Sequence, residues 1–180
     1  MHRPLLAAAL LGALTATPAA AALKTGATAP DFTLQGFQAG KPLTFSLAEA
    51  RKKGPVVLYF FPGADTPGCN IEAKMFADAI GQFQAQKATV IGVTAGKLDQ
   101  LQKISADTDK CSGKFPVLAD PGAQIARKYD AILAAKPDWS DRTSYVIGKD
   151  GKVVHAYTKM DPSEHVSETL TAVKTLKGGK

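Results

Sequence analysis

One stretch of the chain constrains its fold more than any other: an apolar run at residues 56–61 that ends at a turn and leads to Cys69. All residues of the run are β-branched, aromatic or leucine, which is typical of a strand buried on both faces. After the turn, apolar residues recur at helical spacing from Ile71 to Phe83, which predicts a helix that begins near Pro67 and buries one face. Cys69 then falls in the first helical turn, where unpaired backbone N–H groups and the helix dipole favour a thiolate over a thiol. This position suits a nucleophile.

Strand and helix patterns alternate along the rest of the chain. Strands are predicted at 31–34 and 43–47, which form a hairpin, and at 56–61, 88–94, 115–121 with a turn at its end, 143–148 and 152–157. Helices are predicted at 47–53, 67–83, around 98–104, around 125–129 and from 162 or 163 to 176. The Asp150-Gly151 pair indicates a hairpin between the last two strands. This order predicts an α/β fold with a central mixed β-sheet flanked by helices.

The turn before Cys69 resembles the active-site signature of the peroxiredoxins, Pro-x-x-x-Thr-x-x-Cys, with Pro62, Thr66 and Cys69 in the matching positions. The longer string Thr-Pro-Gly-Cys-x-x-Glu, which ends at Glu72, is similar to the bacterioferritin-comigratory (Q-type) branch of that family. The resemblance extends from residues 27–32 to the last helix. It implies a thioredoxin-like fold in its peroxiredoxin elaboration. It also implies a peroxidase that reduces hydrogen peroxide and organic hydroperoxides and depends on a thioredoxin-like or other dithiol reductant.

Peroxide reduction requires a thiolate, donors for the departing oxygen and cover from bulk water. Cys69 is predicted to be the nucleophile. Thr66 is expected to place its hydroxyl against the sulfur and a peroxide oxygen, Pro62 to shield the sulfur, and nearby backbone N–H groups to stabilise negative charge. The resemblance supplies the cation, because residues 141–151 look like the family's arginine strand with its hairpin. Arg142 opens that strand, and its guanidinium is expected to hold sulfur and oxygen in its donor fork.

The chain contains two cysteines. Many Q-type members carry a resolving cysteine five residues after the nucleophile, where this chain has Lys74, and some relatives place it in the helix after the next strand. Cys111 lies near the end of that helix. We therefore predict that Cys111 resolves the Cys69 sulfenic acid as an intramolecular disulfide, after local rearrangement of the first turn after Thr66 and of residues 107–114. A bystander or structural role for Cys111 stays open.

Other classes of protein fit the cysteine pattern less well. A thioredoxin-like disulfide oxidoreductase needs Cys-x-x-Cys, but Thr66 and Glu72 stand three residues either side of Cys69. A copper-carrying relative needs Cys-x-x-x-Cys, and Ala73 takes the second position. A secreted binding domain stapled by a Cys69–Cys111 disulfide is the non-enzymatic alternative.

The roles of several further residues stay open at this stage. Glu72 serves either the helix dipole or the active site, and Trp139 either packs or walls a substrate pocket. His155 and His165 have no neighbouring ligand residues, so neither a metal site nor a cofactor is predicted.

The N-terminal residues follow the order of a secretory signal peptide: a charge at Arg3, an Ala- and Leu-rich stretch, then small residues. We predict a signal peptide at residues 1–22, cleaved after Ala21 or Ala22, with an uncleaved anchor as the alternative. The single domain at 23–180 is then periplasmic or secreted. The net charge of +6 is scattered, so we predict no nucleic-acid binding. We expect no membrane attachment after cleavage, and a monomer or weak homodimer.

Overall fold

A computed structural model describes residues 22–178, with side chains as far as residue 176. Its strands are β1 (Thr33–Gln38), β2 (Lys41–Ser46), β3 (Val56–Phe60), β4 (Thr89–Thr94), β5 (Val117–Ala119), β6 (Thr143–Ile147) and β7 (Val153–Thr158). Its α-helices are α1 (Leu47–Lys53), α2 (Pro67–Ala85), α3 (Leu98–Ala106), α4 (Gln124–Lys128) and α5 (His165–Gly178), and a short 3-10 helix, Pro162–Glu164, precedes α5. The predicted alternation and the two hairpins are confirmed.

The predicted signal peptide, apart from Ala22, lies outside the described residues. Within residues 22–178, no helix has both the length and the apolar character needed to cross a bilayer.

The strands form one seven-stranded sheet in the order β2-β1-β5-β4-β3-β6-β7. The contacts of β4 with β3 and with β5 are parallel, and the other pairings are antiparallel. This is the mixed sheet of a thioredoxin-like fold. The central strand β3 lies between β4 and β6, so the residues that follow β3 emerge beside the start of β6, where Phe60 pairs with Thr143.

Each face of the sheet carries its own apolar core, and β3 contributes to both because its side chains alternate. Val57 and Tyr59 point into the core that contains buried residues of α2, α3 and α5. Val56, Leu58 and Phe60 point into the core that contains buried residues of α1 and α4. All five residues of β3 are buried, which confirms the prediction of a strand covered on both faces.

The start of α2 differs from the predicted helix in one detail. Ile71 was expected on the buried face, but it is 53% exposed, whereas Glu72 beside it is fully buried. The predicted apolar face holds from Phe76 to Phe83, both of which are fully buried. At Glu72, the sixth residue of α2, the inward position is taken by a carboxylate, because a buried cation lies opposite it.

Candidate active site

Cys69 is the third residue of α2, and only 3% of it is exposed. The residue preceding the helix, Thr66, has extended backbone geometry, and its carbonyl accepts the amide of Asn70 at 2.9 Å. Pro67 occupies the first helical position, where a missing N–H costs nothing. The sequence-based placement of Cys69 in the first helical turn is therefore confirmed.

Arg142 lies directly before β6 and reaches the sulfur of Cys69. Its Nη2 donates to Cys69 Sγ at 3.5 Å, its Nε donates to the Met160 carbonyl at 2.9 Å, and its Nη1 pairs with Glu72 Oε2. Arg142 is 3% exposed, and these three contacts hold its guanidinium in place. Gly68 permits the approach, because a Cβ there would lie 3.2 Å from Nη2. The structure thus brings together the two residues that the sequence analysis named as nucleophile and cation.

The Glu72 carboxylate contacts Arg142 and also lies near a second buried side chain, His165. Glu72 Oε1 lies 3.6 Å from His165 Nδ1. The same ring nitrogen lies 2.8 Å from Ser144 Oγ, and Nε2 lies 2.8 Å from the Lys159 carbonyl. Burial raises the pKa of Glu72 to about 8 against the lowering effect of Arg142, and burial lowers the pKa of His165. Glu72 is therefore a buried partner of the site rather than a surface acid at a helix end.

The sequence analysis missed His165 and Ser144 as parts of this cluster. Ser144 lies inside the wholly buried strand β6, and a polar residue in such a strand must find a hydrogen-bond partner. The sequence therefore indicated that Ser144 has a hydrogen-bond partner. The partner itself lies 21 residues further along the chain, so the sequence alone could not name it.

Pro62 and Thr66 lie together in the loop between β3 and α2, but Thr66 does not bond to the sulfur. Its hydroxyl donates to the Gly63 carbonyl at 3.3 Å. Both residues line a pocket of about 350 Å³ together with Trp139, which is 39% exposed. Trp139 thus forms a pocket wall, and Lys136 Nζ lies 4.2 Å from its ring centroid. Neither Cys69 nor Arg142 lines this pocket, so the two roles left open for Trp139 stay undecided.

Cys111 lies in the turn segment after α3 and is fully buried. Both cysteines are free thiols, and both belong to the core that includes Tyr59. Burial raises the pKa of Cys111 to about 12. A salt bridge ties the two cysteine-bearing segments together: Lys110 Nζ lies 2.6 Å from Asp65 Oδ1, in the loop that precedes Cys69.

Together, a cysteine at a helix N-terminus, an arginine from the neighbouring strand and a thioredoxin-like sheet define the peroxiredoxin class. Residues 25–156 match the AhpC/TSA family model, and the chain belongs to this family. It is a thiol-dependent peroxidase, and the expected fold, family and enzyme class are confirmed.

Curated relatives and solved structures agree with this assignment. The chain is 31% identical over 153 residues to the chloroplastic peroxiredoxin Q of Sedum lineare, an alignment that covers 84% of this chain and 78% of that protein. It is 33% identical to the chloroplastic peroxiredoxin Q of Arabidopsis thaliana, over 86% of this chain and 68% of that protein.

Among solved structures, peroxidoxin BcpB of Mycobacterium tuberculosis superposes with a TM-score of 0.73 at 30% identity, covering 86% of this chain and 98% of BcpB. The reduced 2-Cys peroxiredoxin of Plasmodium vivax shares the fold at 19% identity and a TM-score of 0.75, covering 86% of this chain and 96% of that one.

Proposed function

We propose that Cys69 is the peroxidatic cysteine and that Arg142 is its principal electrostatic partner. The thiolate attacks the nearer peroxide oxygen, so an S–O bond forms while the O–O bond breaks. Sulfur is oxidised to a sulfenic acid, and the departing oxygen takes up a proton and leaves as water or an alcohol. The observation that carries this proposal is the 3.5 Å contact between Arg142 Nη2 and Cys69 Sγ in a site screened from water. Fixed donors in such a site stabilise the charge that develops on the departing oxygen.

Thr66 and Pro62 have supporting roles in this proposal. The Thr66 hydroxyl, held by a long bond to the Gly63 carbonyl, exchanges that acceptor for a peroxide oxygen. Pro62 covers the loop side of the site, and the pocket that it lines with Trp139 admits the organic part of a hydroperoxide. Organic hydroperoxides and hydrogen peroxide are both proposed substrates.

The catalytic proposal is tested by stopped-flow fluorescence during reaction with hydrogen peroxide, for which the single tryptophan, Trp139, is the probe. Cys69→Ser should abolish the fluorescence change. Arg142→Lys keeps the charge but loses the planar donor fork, so the peroxide step should slow about 10²-fold. Arg127→Lys is the matched control, because Arg127 is exposed and donates to the Pro137 carbonyl. If Arg142→Lys reacts with hydrogen peroxide at the parent rate, the assignment of Arg142 as the electrostatic partner of Cys69 is wrong.

We further propose that Cys111 resolves the Cys69 sulfenic acid. The Cys111 thiolate attacks the sulfenic sulfur, the S–O bond breaks, and the departing hydroxyl takes up a proton and leaves as water. The intramolecular disulfide that forms is then reduced by a dithiol reductant of thioredoxin type. The Lys110–Asp65 salt bridge supports this proposal because it already joins the two segments. Full burial of Cys111 requires the segment to open before the bond closes. After peroxide treatment, non-reducing mass analysis should show an intramolecular loss of two hydrogens that Cys111→Ala lacks.

Finally, we propose that the protein is exported and acts in the periplasm or outside the cell, after cleavage that follows Ala21 or Ala22. The order of charged, apolar and small residues supports this proposal. N-terminal sequencing of extracytoplasmic protein tests it, and an intact Met1 in that material would contradict it. We propose a monomer or weak homodimer, which sedimentation analysis would distinguish from a larger assembly.

A further inference from the structure

The buried site contains more negative than permanent positive charge once Cys69 ionises. Glu72 and His165 are both fully buried, and Arg142 is the cation between Glu72 and the sulfur. A Cys69 thiolate and a Glu72 carboxylate would together exceed the single charge of Arg142. An unbalanced buried charge is costly, so a further proton in this cluster is favoured.

The hydrogen bonds of His165 identify where that proton can reside. The Lys159 carbonyl can only accept, so Nε2, at 2.8 Å from it, carries a hydrogen. Nδ1 is then the free basic atom of the neutral ring and accepts from the Ser144 hydroxyl at 2.8 Å. Glu72 Oε1 lies 3.6 Å from Nδ1 and, among the described residues, has no hydrogen-bond partner. A proton held by this pair, on Oε1 or on Nδ1, would offset the negative charge that Glu72 otherwise carries in the buried site.

We propose that His165 is a positioning residue of the peroxidase: the Glu72–His165 pair retains one proton, on Oε1 or on Nδ1, and so keeps Arg142 available to the Cys69 sulfur. Loss of this proton leaves Glu72 with its full negative charge. Glu72 then draws the guanidinium towards itself and opposes the nearby thiolate. Reaction with peroxide should therefore weaken at alkaline pH, when the proton is lost. This inference rests on the proposed role of Cys69.

Several titratable or charged groups surround His165 and affect where this proton is held. The Tyr157 ring packs edge-on against the imidazole, with centroids 4.9 Å apart. The titratable or charged groups that face His165 are Glu72 from α2, Arg142 before β6, Tyr157 from β7, Lys159 after β7, and Asp161 and Glu164 from the 3-10 segment. Glu164 is already engaged by Lys159 at 2.8 Å, and Asp161 accepts the amide of Ser163. Glu72 is thus the carboxylate best placed to share a proton with Nδ1.

The test is the pH profile of the second-order rate constant for reaction with hydrogen peroxide, followed by Trp139 fluorescence in the full chain. The parent should show a falling limb at alkaline pH as the shared proton is lost. His165→Gln retains a donor for the Lys159 carbonyl but cannot hold the proton at Nδ1. Its falling limb should move to lower pH by about one unit. Ser144→Ala frees Nδ1 from the serine hydroxyl, so its falling limb should move to higher pH.

Two further variants separate the proposal from a purely structural role for His165. Glu72→Gln should lose the falling limb, and adding His165→Gln to it should leave the shape of the profile unchanged. His155→Gln is the matched control, because His155 also pairs with a glutamate, Glu168, at 3.1 Å.

If His165→Gln and Ser144→Ala lower the rate equally at every pH, or leave the profile unmoved, His165 has no such role and the inference is wrong. Failure of the parent to react with peroxide at Cys69 would instead overturn the proposed function.

Discussion

The proposed resolving step requires Cys111 to leave the core, and the reactivity of this thiol in the native protein measures how often it does so. Burial raises the pKa of Cys111 to about 12, compared with about 8.5 for a free cysteine. At pH 8, a thiol with this pKa is ionised to about one part in 10⁴, whereas a free cysteine is ionised to about one part in four. Alkylation requires the thiolate. Native Cys111 should therefore react with iodoacetamide at least about 10³-fold more slowly than a free cysteine.

The assay uses the Cys69→Ser variant, in which Cys111 is the remaining thiol. Mass analysis at timed intervals gives the alkylation rate in native buffer and in strong denaturant, and the denatured chain supplies the reference rate. Adding Asp65→Ala should raise the native rate, because it removes the contact with Lys110 at 2.6 Å that joins the two segments, while Lys110 still lowers the pKa of Cys111. A native rate within about tenfold of the denatured rate would refute the reasoning, since Cys111 would then need no opening step.

Two further predictions concern stability. The folded chain keeps a proton on Glu72 up to a pKa of about 8, whereas the unfolded chain loses it near 4.5. The stability that this Glu72 proton contributes to the folded chain is fully present below about pH 4.5 and is lost as the pH rises through 8. Urea unfolding at several pH values should therefore show a smaller loss of stability across this window in Glu72→Gln than in the parent; an equal loss would contradict the raised pKa. In Gly92→Ala, the new Cβ would lie 2.7 Å from the Tyr59 hydroxyl, and such overpacking costs about 1–3 kcal/mol. Its control is Gly81→Ala, inside α2, where a new Cβ meets no heavy atom of the described residues within 4 Å. This change should stabilise by about 0.5–1 kcal/mol; equal effects of the two changes would contradict the packing argument.

The parts of the fold that the sequence predicted well are those governed by local patterns. The run at 56–61 is apolar at every position, so strand β3 and its burial on both faces followed directly. The Asp150-Gly151 pair likewise identified the β6–β7 hairpin, which the structure contains. The order of the seven strands was not predicted, because pairing between distant strands depends on the whole set of tertiary contacts.

The parts of the site that the sequence left open depend on those distant contacts. A glutamate near the start of a helix normally faces water, and Glu72 is buried here because Arg142, 70 residues away, meets it. The Thr66 hydroxyl was expected at the sulfur but bonds to the Gly63 carbonyl, three residues back in the same loop. Local hydrogen bonds of this kind compete with longer-range ones, and sequence spacing does not show which of them forms.

Backbone carbonyls in the segment after β7 hold Arg142 in position, although the residues that match the AhpC/TSA family model end at 156. The Met160 carbonyl fixes Arg142 Nε at 2.9 Å, and the Lys159 carbonyl fixes the ring of His165 at 2.8 Å. These acceptors are backbone atoms, so their placement depends on the path of the chain from β7 into α5 rather than on the identity of a side chain. A substitution that alters this path would move Arg142 relative to Cys69 without touching either residue. The reactivity of the sulfur is therefore coupled to the packing of α5, whose buried Leu170 and Val173 lie in the same core as Cys69.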